Sequence, residues 1–254
     1  PLLVLVIYSF NESRLVTIWT EFSVKWYLEL LEDRQLMDAF FLSLQIACST
    51  AFMSVLLGTI AAYVLVKFGR FPGQTLFSSM IIAPLVMPEV ITGLSLLLLF
   101  VGLGNWLGWP ASRGAMTIWI AHVTFSVAFV TIVITSRLRE MDSSLEEAAM
   151  DLGATPLKVF LVITLPLISP ALISGWLLAF TLSLDDLVIA SFVSGPGSST
   201  LPMVIYSSVR LGVSPKINAL ATIFVGLILV GSFVFWWSMQ RWTRYSAAKT
   251  SGQQ

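Results

Sequence analysis

The stretch SLEEAAMDLGATPLKVFLVITLP, residues 144–166, predicts two short helices joined by a turn. Ser143 or Ser144 can cap the first helix, because a serine side chain accepts a hydrogen bond from a free N–H of the first turn. Glu146 and Glu147 then lie in that turn, where the helix dipole stabilises an acid. Since a bare connection between two helices needs only a few residues, the stretch predicts an ordered surface element.

The same stretch contains the residue types that end one helix and begin the next. Gly153 is predicted to end the first helix, since glycine adopts the left-handed conformation of a helix end without strain. Thr155 is an N-cap candidate and Pro156 suits the first helical position, so the second helix is expected to begin at once. Pro166 and Pro170 are expected to break the path of the chain as it enters the next apolar run.

The rest of the chain is strongly apolar. Of its 254 residues 57% are hydrophobic and only 11% are charged, whereas an average soluble domain has about 25% charged residues; the mean hydropathy is +0.89. The apolar runs are continuous, which predicts helices that satisfy their own backbone polar groups in lipid. We therefore expect an all-α membrane protein. The net charge of zero gives no indication of a nucleic acid partner, and the single cysteine, Cys48, excludes an internal disulfide and speaks against a cysteine-ligated metal site.

Five apolar segments are long enough to cross a bilayer, which takes about 20 residues. Residues 1–10 are interpreted as the outer end of a first helix whose beginning precedes the sequence. Together they predict six transmembrane helices, the first one truncated, in a single transmembrane domain over residues 1–254. The five complete segments lie at about 38–66, 75–101, 114–135, 170–192 and 217–239.

The basic residues favour one orientation in the membrane. Placing residues 67–74, the loop 136–169 and the C-terminal tail inside the cell puts eight basic residues inside and six outside, in the direction of the positive-inside rule. Segment 11–37 is then external, and its VKWYLELL run predicts an amphipathic helix at the interface. The external connection 194–216 mixes glycine and proline with an apolar stretch, so a short hairpin or re-entrant element is expected there.

The spacing within the 136–169 loop resembles the EAA signature of importer-type ABC transporter permeases. The residues that carry the match are Glu147, Ala148, Ala149, Gly153, Ile163, Leu165 and Pro166. The stretches APLVMPEVITGLSLLLLF, RLREMDSSLEEAAMDLGATPLKVF and GWLLAFTLSLDDLVIASFVSGPG are similar to the polyamine (putrescine/spermidine) permease subunits, specifically the second of the two paired permeases.

The resemblance implies the type I ABC importer permease fold, a coupling helix in the loop and several partners. In that family the loop sits in a cleft of a separate ATPase subunit, so the ATPase-coupling residues are expected to be Glu146, Glu147, Ala148, Ala149, Gly153, Leu165 and Pro166. The expected partners are a second homologous permease, two copies of an ABC ATPase and a periplasmic polyamine-binding protein, in the bacterial inner membrane. Because the sequence has no G-x-x-x-x-G-K-[ST] loop, we expect a non-catalytic chain without a cofactor, with ATP and Mg²⁺ bound by the ATPase subunits.

Three acids lie within the apolar segments, where a charge costs on the order of 3 kcal/mol. They are Glu89, Asp185 and Asp186. In regular helices, Glu89 and Asp185 rise about 21 to 22 Å from the inner ends of their segments. His122, counted from the outer end of its segment, reaches roughly the same layer of the membrane. The sequence thus predicts one layer of ionisable groups in the outer half of the membrane.

Two prolines precede Glu89 and predict a broken or kinked helix beside protein or a water-filled cavity. Asp185 and Asp186 point about 100° apart on a helix, so we expect one carboxylate to meet a translocated cation and the other to pair with a neighbouring helix or subunit. The sequence leaves open which aspartate does which. For His122 it leaves open a hydrogen-bonded helix contact or a contact with substrate.

Fixed carboxylates suit a cation, and aromatic faces add cation–π contacts. The candidate aromatic residues are Trp119, Phe125, Phe192 and Tyr206. The residues themselves indicate a cation, and only the family resemblance indicates a polyamine. The leading interpretation is a pore-forming subunit of an ATP-driven polyamine importer that works by alternating access.

Two other classes of function are weighed against this interpretation. An ATP-independent cation channel or ion-coupled secondary transporter would fit the intramembrane acids equally well. The element at 144–166 argues against both, because a channel or secondary transporter needs no docking site for an ATPase. A membrane-embedded hydrolase has no support, since neither His-Glu-x-x-His nor G-x-S-x-G occurs in the sequence.

Overall fold

The computed structural model describes residues 2–13, 18–211, 215–226 and 229–230. Regular structure in this part of the chain is helical, apart from one isolated antiparallel bridge between Asn11 and Phe22. The helices are α1 Leu2–Ser9, α2 Lys25–Glu32, α3 Arg34–Lys67, α4 Gln74–Val86, α5 Glu89–Leu107, α6 Ala115–Glu140, α7 Ser144–Asp151, α8 Pro156–Val159, α9 Leu165–Asp185, α10 Val188–Val193 and α11 Leu201–Leu211. A π-helical turn, Phe160–Thr164, joins α8 to α9. Residues 215–226 are also helical.

Four stretches of the described residues are long and apolar enough to cross a membrane. They are Arg34–Lys67, Glu89–Leu107, Ala115–Glu140 and Pro156–Asp185, and α4 is a shorter apolar helix. The predicted segments 38–66 and 114–135 lie within α3 and α6. The predicted segment 217–239 is helical through residue 226, and beyond that point it lies largely outside the described residues.

The predicted segment 75–101 is not one helix. It divides into α4 and α5, because Met87 is extended, with ψ of 136°, and Pro88 is the N-cap of the next helix. Proline has no N–H to continue the hydrogen-bond ladder and disfavours a helical residue before it. The break that the sequence predicts at this point therefore places Glu89 at the first position of α5.

The predicted segment 170–192 is also divided. Its first part belongs to α9, which begins earlier than expected and ends at Asp185. Asp186 is extended, with ψ of 124°, and a new helix, α10, begins at Val188. The aspartate pair thus lies at a break between two helices and not within a regular span.

The expectation that Pro166 and Pro170 break the path of the chain is wrong. Helix α9 runs through both prolines. Pro170 cannot donate an N–H to the Pro166 carbonyl, and the Ser169 hydroxyl donates to that carbonyl instead, at 2.8 Å. The π-helical turn ends at Thr164, just before Leu165 and Pro166. Its wider backbone makes room for the Pro166 ring, which would otherwise clash with a carbonyl of the preceding turn.

Residues 38–204 form one compact unit, in which small residues bring α3, α6 and α9 close together. A Cβ on Gly58 of α3 would lie 2.8 Å from Val130 Cγ1, and one on Gly175 of α9 would lie 3.2 Å from the same atom. Glycine at these positions allows the helix backbones to approach. The buried side chains of this region are Ala51, Ala62, Val130, Ile134, Leu138, Ile168 and Ala179.

A second buried cluster in this unit joins α3, α5, α6 and α10. Its members are Ile46, Leu96, Phe100, Ile118, Ala121, Phe125, Ile189, Ala190 and Val193. A Cβ on Gly93 would lie 2.7 Å from Phe192 Cδ2 and 3.4 Å from the Ile189 Cα. The two helices that begin at the two breaks, α5 and α10, therefore pack directly against each other.

The described residues of the stretches 1–37 and 205–254 form the other compact unit. The predicted remnant of a first helix is helical as α1. The predicted amphipathic helix is α2, and its Trp26 and Leu30 are each only 2% exposed. Trp26 Nε1 donates a hydrogen bond to the Asn11 carbonyl at 2.6 Å. The apolar face of α2 therefore packs against other residues of the chain.

The connection 194–216 contains a helix, α11, so of the two expected forms the hairpin is wrong, and the re-entrant element stays a prediction. Leu201 and Val204, three residues apart, are both buried, and this spacing belongs to one face of a helix. Pro202 lies in the first turn, which tolerates a residue without an N–H. The Leu201 N–H, free at the helix start, donates to Ser43 Oγ at 2.7 Å.

A Gly195→Ala substitution is expected to destabilise the protein, because a Cβ at this position would lie 2.0 Å from the Arg113 carbonyl oxygen. Relieving such an overlap moves backbone and costs about 1–3 kcal/mol. Thermal unfolding of the detergent-solubilised protein measures the effect. Gly102→Ala is the control, since nothing lies within 4 Å of its Cβ position; an equal loss of stability in both variants would contradict the prediction.

Candidate functional site

The aspartate pair lies where α9 ends. Asp185 is the last residue of α9, and Asp186 is its C-cap. Asp185 is exposed, whereas the Asp186 side chain is only 9% exposed. The end of the helix thus places two adjacent carboxylates in different surroundings.

Asp186 is held by neighbouring groups of the chain. Its Oδ2 lies 3.1 Å from Nε2 of His122 on α6. The backbone N–H groups of Ile189 and Ala190 donate to Oδ1 at 3.3 Å and to Oδ2 at 2.7 Å. These donors belong to the first turn of α10, where N–H groups have no partner within the helix. Asp186 therefore ties the end of α9 to α6 and caps α10.

His122 is buried, with both ring nitrogens in contact with the chain. Its Nδ1 lies 2.7 Å from the Ser183 hydroxyl, and its Nε2 faces Asp186. Neither nitrogen is left for a solute, so the structure places His122 in a helix contact. Ser183 is a site residue that sequence reasoning misses, although its position three residues before Asp186 on one helix face indicates it.

Asp185 and Glu89, the acids beside the two helix breaks, are both exposed. No ion pair with either carboxylate occurs in the part of the chain that the structure describes. Glu89 stands at the N-terminus of α5, where the helix dipole favours a negative charge. Because Gly93 of α5 packs against Ile189 and Phe192 of α10, the two exposed acids belong to breaks that lead into contacting helices.

Of the four candidate aromatic residues, Phe125 and Phe192 pack in the second cluster, and Trp119 and Tyr206 have different surroundings. Trp119 is partly buried against the second cluster and lines a cavity of about 380 Å³ with Gln45 and Ser49 of α3. Tyr206 lies on α11, in the unit formed by residues 1–37 and 205–254, and is 51% exposed. The Arg210 guanidinium lies 5.6 Å from the centre of the Tyr206 ring, so a cation of the chain already faces that ring.

An Asp186→Asn substitution is expected to lower the free energy of unfolding by about 1.5–3 kcal/mol, the usual contribution of hydrogen bonds to a charged group. Asparagine keeps the shape but loses the charge that faces His122 and caps α10. Thermal unfolding of the solubilised protein measures this change. Asp185→Asn is the matched control, because its side chain is exposed; a larger loss there than at Asp186 would refute the assignment.

The 136–169 loop contains the two predicted short helices, α7 and α8. Between them Gly153 has φ of 87°, a left-handed conformation that glycine adopts without strain. Helix α8 begins at Pro156, and Thr155 occupies its N-cap position with extended dihedral angles, but the Thr155 side chain makes no capping hydrogen bond. Leu165 and Pro166, the last residues of the signature, lie outside this helix pair, in the first turn of α9.

The expected serine cap of α7 is wrong. Ser143 occupies the N-cap position, but it has helical dihedral angles, and its side chain makes no capping hydrogen bond. Asp142 takes this role, because its Oδ1 accepts a hydrogen bond from the Ser144 N–H at 3.0 Å. Hydrogen bonds from the Ser144 backbone and hydroxyl lower the pKa of Asp142 below its usual value of 3.8.

The helix pair exposes a mixed acidic and apolar surface, which we call the α7–α8 surface. Glu147 and Ala148 are exposed, and Ala149 is partly buried. Its large apolar side chains are Leu145, Met150, Leu152 and Leu157, of which Leu152 is 90% exposed. Exposed apolar patches of this kind mark interaction sites.

Glu146 faces the chain itself and not the α7–α8 surface. Lys67, the last residue of α3, donates to Glu146 Oε2 at 2.6 Å, and the Thr164 hydroxyl donates to Oε1 at 2.6 Å. Sequence reasoning misses Lys67 and Thr164. The signal for Lys67 is a basic residue at the end of a long apolar helix, close in space to the loop but 79 residues away in sequence.

Burial raises the pKa of Glu146, but the hydrogen bonds from Lys67 and Thr164 and the Lys67 charge outweigh burial. The pKa therefore lies below its usual value of 4.5. The group is ionised at neutral pH. Its contribution to stability is complete above pH 4.5 and is lost as the pH falls through the lower pKa of the folded state.

Long apolar helices that break beside carboxylates are typical of membrane transport proteins. With four candidate spans in the described residues, the chain is a multi-pass membrane protein of the permease class. The family model described as "Binding-protein-dependent transport system inner membrane component" matches residues 54–244, and the chain belongs to this family.

Two relatives of the chain are named for the transport of polyamines. The chain is 66% identical over 241 residues to the putrescine transport system permease protein PotI of Escherichia coli K12, covering 95% of this chain and 86% of that protein. It is 41% identical over 230 residues to the spermidine/putrescine transport system permease protein PotC of the same strain, covering 91% and 84%. The family resemblance that the sequence indicates is therefore confirmed.

Solved structures of importers share the fold. A bacterial ABC transporter that imports the acidic polysaccharide alginate superposes with a TM-score of 0.69 at 19% identity, covering 95% of this chain and 89% of that chain. The MetNI methionine ABC transporter, in an inward-facing conformation, gives a TM-score of 0.63 at 16% identity, covering 79% and 91%. The predicted all-α ABC importer permease fold is confirmed.

Proposed function

We propose that the chain is the pore-forming subunit of an ATP-driven importer that moves putrescine, spermidine or both across the bacterial inner membrane by alternating access. The observation that carries the proposal is the division of the aspartate pair. Asp186 is tied to His122, whereas Asp185 remains exposed at a break in an apolar helix. The 66% identity to a putrescine permease supports a polyamine as the cation.

A polyamine is an aliphatic chain with two or more ammonium groups, so its recognition requires carboxylates and apolar or aromatic surface together. Asp185 is proposed to bind an ammonium group, and a charge-assisted hydrogen bond is strongest where water is scarce. Glu89 is proposed as a second carboxylate of the pathway. Trp119 is proposed as an aromatic contact for the methylene chain and the cations. Tyr206, whose ring already faces Arg210, is proposed as a contact for the methylene chain alone. His122 and Asp186 are proposed to hold the pathway helices in position.

The breaks at Pro88 and Asp186 supply the movement that alternating access requires. A helix break leaves backbone groups without partners, which is tolerated at membrane depth only beside protein or a water-filled cavity. A helix that begins at such a break can move relative to the helix before it with little loss of hydrogen bonding. We propose that α5 and α10 move together, because Gly93 packs against Phe192.

The chain is proposed to work with a second homologous permease, two copies of an ABC ATPase and a periplasmic polyamine-binding protein. The proposed ATPase contact is the α7–α8 surface, with Glu147, Ala148, Ala149 and Gly153 at its centre. ATP and Mg²⁺ are proposed to be bound by the ATPase subunits, since the sequence has no G-x-x-x-x-G-K-[ST] loop. This chain then contributes no catalytic residue and no cofactor site.

Proteoliposomes that contain the complete complex test the proposal. Uptake of radiolabelled putrescine or spermidine from the loaded binding protein is expected to require hydrolysable ATP. Butylamine has the same carbon chain as putrescine but half its charge, and we expect it not to compete for uptake. Failure of the complex to import either polyamine with ATP would refute the proposal.

The second candidate is an ATP-independent cation channel or ion-coupled secondary transporter. The exposed acids fit it, but the ordered and exposed α7–α8 surface has no role in such a carrier. Liposomes that contain this chain alone separate the two candidates. We expect no polyamine or inorganic cation flux from them, and ATP-independent flux would favour the channel or carrier.

A further inference from the structure

Helix α7 is an eight-residue helix on the surface of the chain. A helix of this length is not stable by itself in water, so its position depends on tertiary contacts. None of its residues is fully buried. The contact that joins it to the long helices therefore determines how a displacement of the α7–α8 surface reaches the rest of the chain.

That contact is the carboxylate of Glu146. Both of its oxygens are used, one by Lys67 Nζ and the other by the Thr164 hydroxyl, each at 2.6 Å. The Lys67 and Glu146 side chains are 19% and 12% exposed, so the pair is mostly shielded from water. An ion pair in such a place is screened less than one on the surface.

The two partners of Glu146 belong to two different long helical stretches. Lys67 ends α3, and Thr164, which is 1% exposed, ends the π-helical turn that leads into α9. Tyr63, one turn before Lys67, packs edge to face on Phe160 at the start of the π-helical turn, with ring centres 5.2 Å apart. Helix α3 and the π-helical turn are thus joined by two contacts, the Tyr63–Phe160 ring pair and the Glu146 carboxylate. Helix α7 is attached through the second of these contacts.

The neighbouring glutamate faces the other way. Adjacent helical residues point about 100° apart, and Glu147 is exposed while Glu146 faces the chain. Neighbouring acids of α7 therefore have separate surroundings, one outward and one inward. The same separation holds for Asp185 and Asp186 at the end of α9.

We infer that Glu146 is a positioning residue that transmits displacement of the α7–α8 surface to α3 and α9 through Lys67 and Thr164, and that it does not contact the ATPase. The inference rests on the proposed function, because it assigns a role within ATP-driven import. To transmit a displacement, a positioning residue needs one fixed contact with each helix that is to move. The two hydrogen bonds of one carboxylate supply both attachments.

The test compares ATP hydrolysis with transport in the reconstituted complex. Glu146→Gln is expected to raise the number of ATP molecules hydrolysed per polyamine imported about 10-fold or more, as expected for the loss of one charge-assisted hydrogen bond. The amount of ATPase that copurifies is expected to stay unchanged. The charge-swapped double variant Lys67→Glu with Glu146→Lys is expected to recover most of the coupling.

Thr164→Val removes one hydroxyl at constant volume and is expected to give a smaller rise, about 2- to 3-fold. It keeps the test informative if Glu146→Gln does not fold. Glu140→Gln is the matched control, since that carboxylate is 65% exposed and, among the residues that the structure describes, its ion pair is with Arg137 at 3.4 Å. Its coupling is expected to equal that of the wild-type complex.

Three results would overturn the inference. They are unchanged coupling in Glu146→Gln and Thr164→Val, loss of the ATPase from either complex, and a charge-swapped variant no better coupled than Glu146→Gln. Failure of the proposed function is distinguishable from all three, because the wild-type complex itself would then not import polyamine with ATP.

Discussion

An Asp185→Asn variant is expected to import polyamine about 10- to 100-fold more slowly than the wild-type chain while remaining assembled with its partners. Asparagine has the size of aspartate but no charge, so the ammonium group loses a charged partner. A hydrogen bond to a charged group contributes about 1.5–3 kcal/mol, which corresponds to this range of affinity. The initial rate of ATP-driven putrescine uptake, measured against putrescine concentration, provides the test.

Two further variants make this prediction specific. Asp185→Glu keeps the charge and is expected to retain more uptake than Asp185→Asn. Asp186→Asn is expected to reduce uptake chiefly through the stability of the α9–α10 break, because its carboxylate is bound to His122 and the first turn of α10. If both asparagine variants import polyamine at the wild-type rate, the proposed acidic pathway is wrong.

A Glu147→Lys variant is expected to lose the ATPase and therefore to abolish ATP-driven uptake. Glu147 is exposed in the first turn of α7, and reversing its charge places a cation where the partner surface is proposed to meet an acid. Disruption of a charged contact in an interface costs about 2–5 kcal/mol, or roughly 30-fold or more in affinity. Copurification of the ATPase with the tagged permease measures the loss.

The matched control for this charge reversal is Glu140→Lys. Glu140 is exposed, lies outside α7 at the end of α6, and pairs with Arg137 only weakly. We expect it to keep the ATPase and most of the uptake. Normal ATPase binding and transport by Glu147→Lys would reject the α7–α8 surface as the docking site.

The helix pair α7 and α8 shows which features local sequence rules can predict. Gly153 ends the first short helix with a positive φ, and Pro156 begins the second, as the sequence predicts. These features depend on residues within a few positions of one another. The predicted serine cap is wrong because Ser143 has helical dihedral angles, and Asp142 accepts a hydrogen bond from the first helical N–H instead. The predicted proline break is wrong because a π-helical turn precedes Pro166 and the Ser169 hydroxyl donates to the carbonyl that Pro170 cannot serve.

The sequence by itself determined the all-α membrane class, the family and the positions of the acids, because apolar run length and local motif spacing are properties of contiguous residues. Only the tertiary structure decided that Asp186 is bound to His122, 64 residues away, while Asp185 stays exposed, and that Glu146 faces Lys67 and Thr164 while Glu147 faces outward. Helix geometry separates adjacent side chains by about 100°, but which side meets a neighbour depends on how distant helices pack.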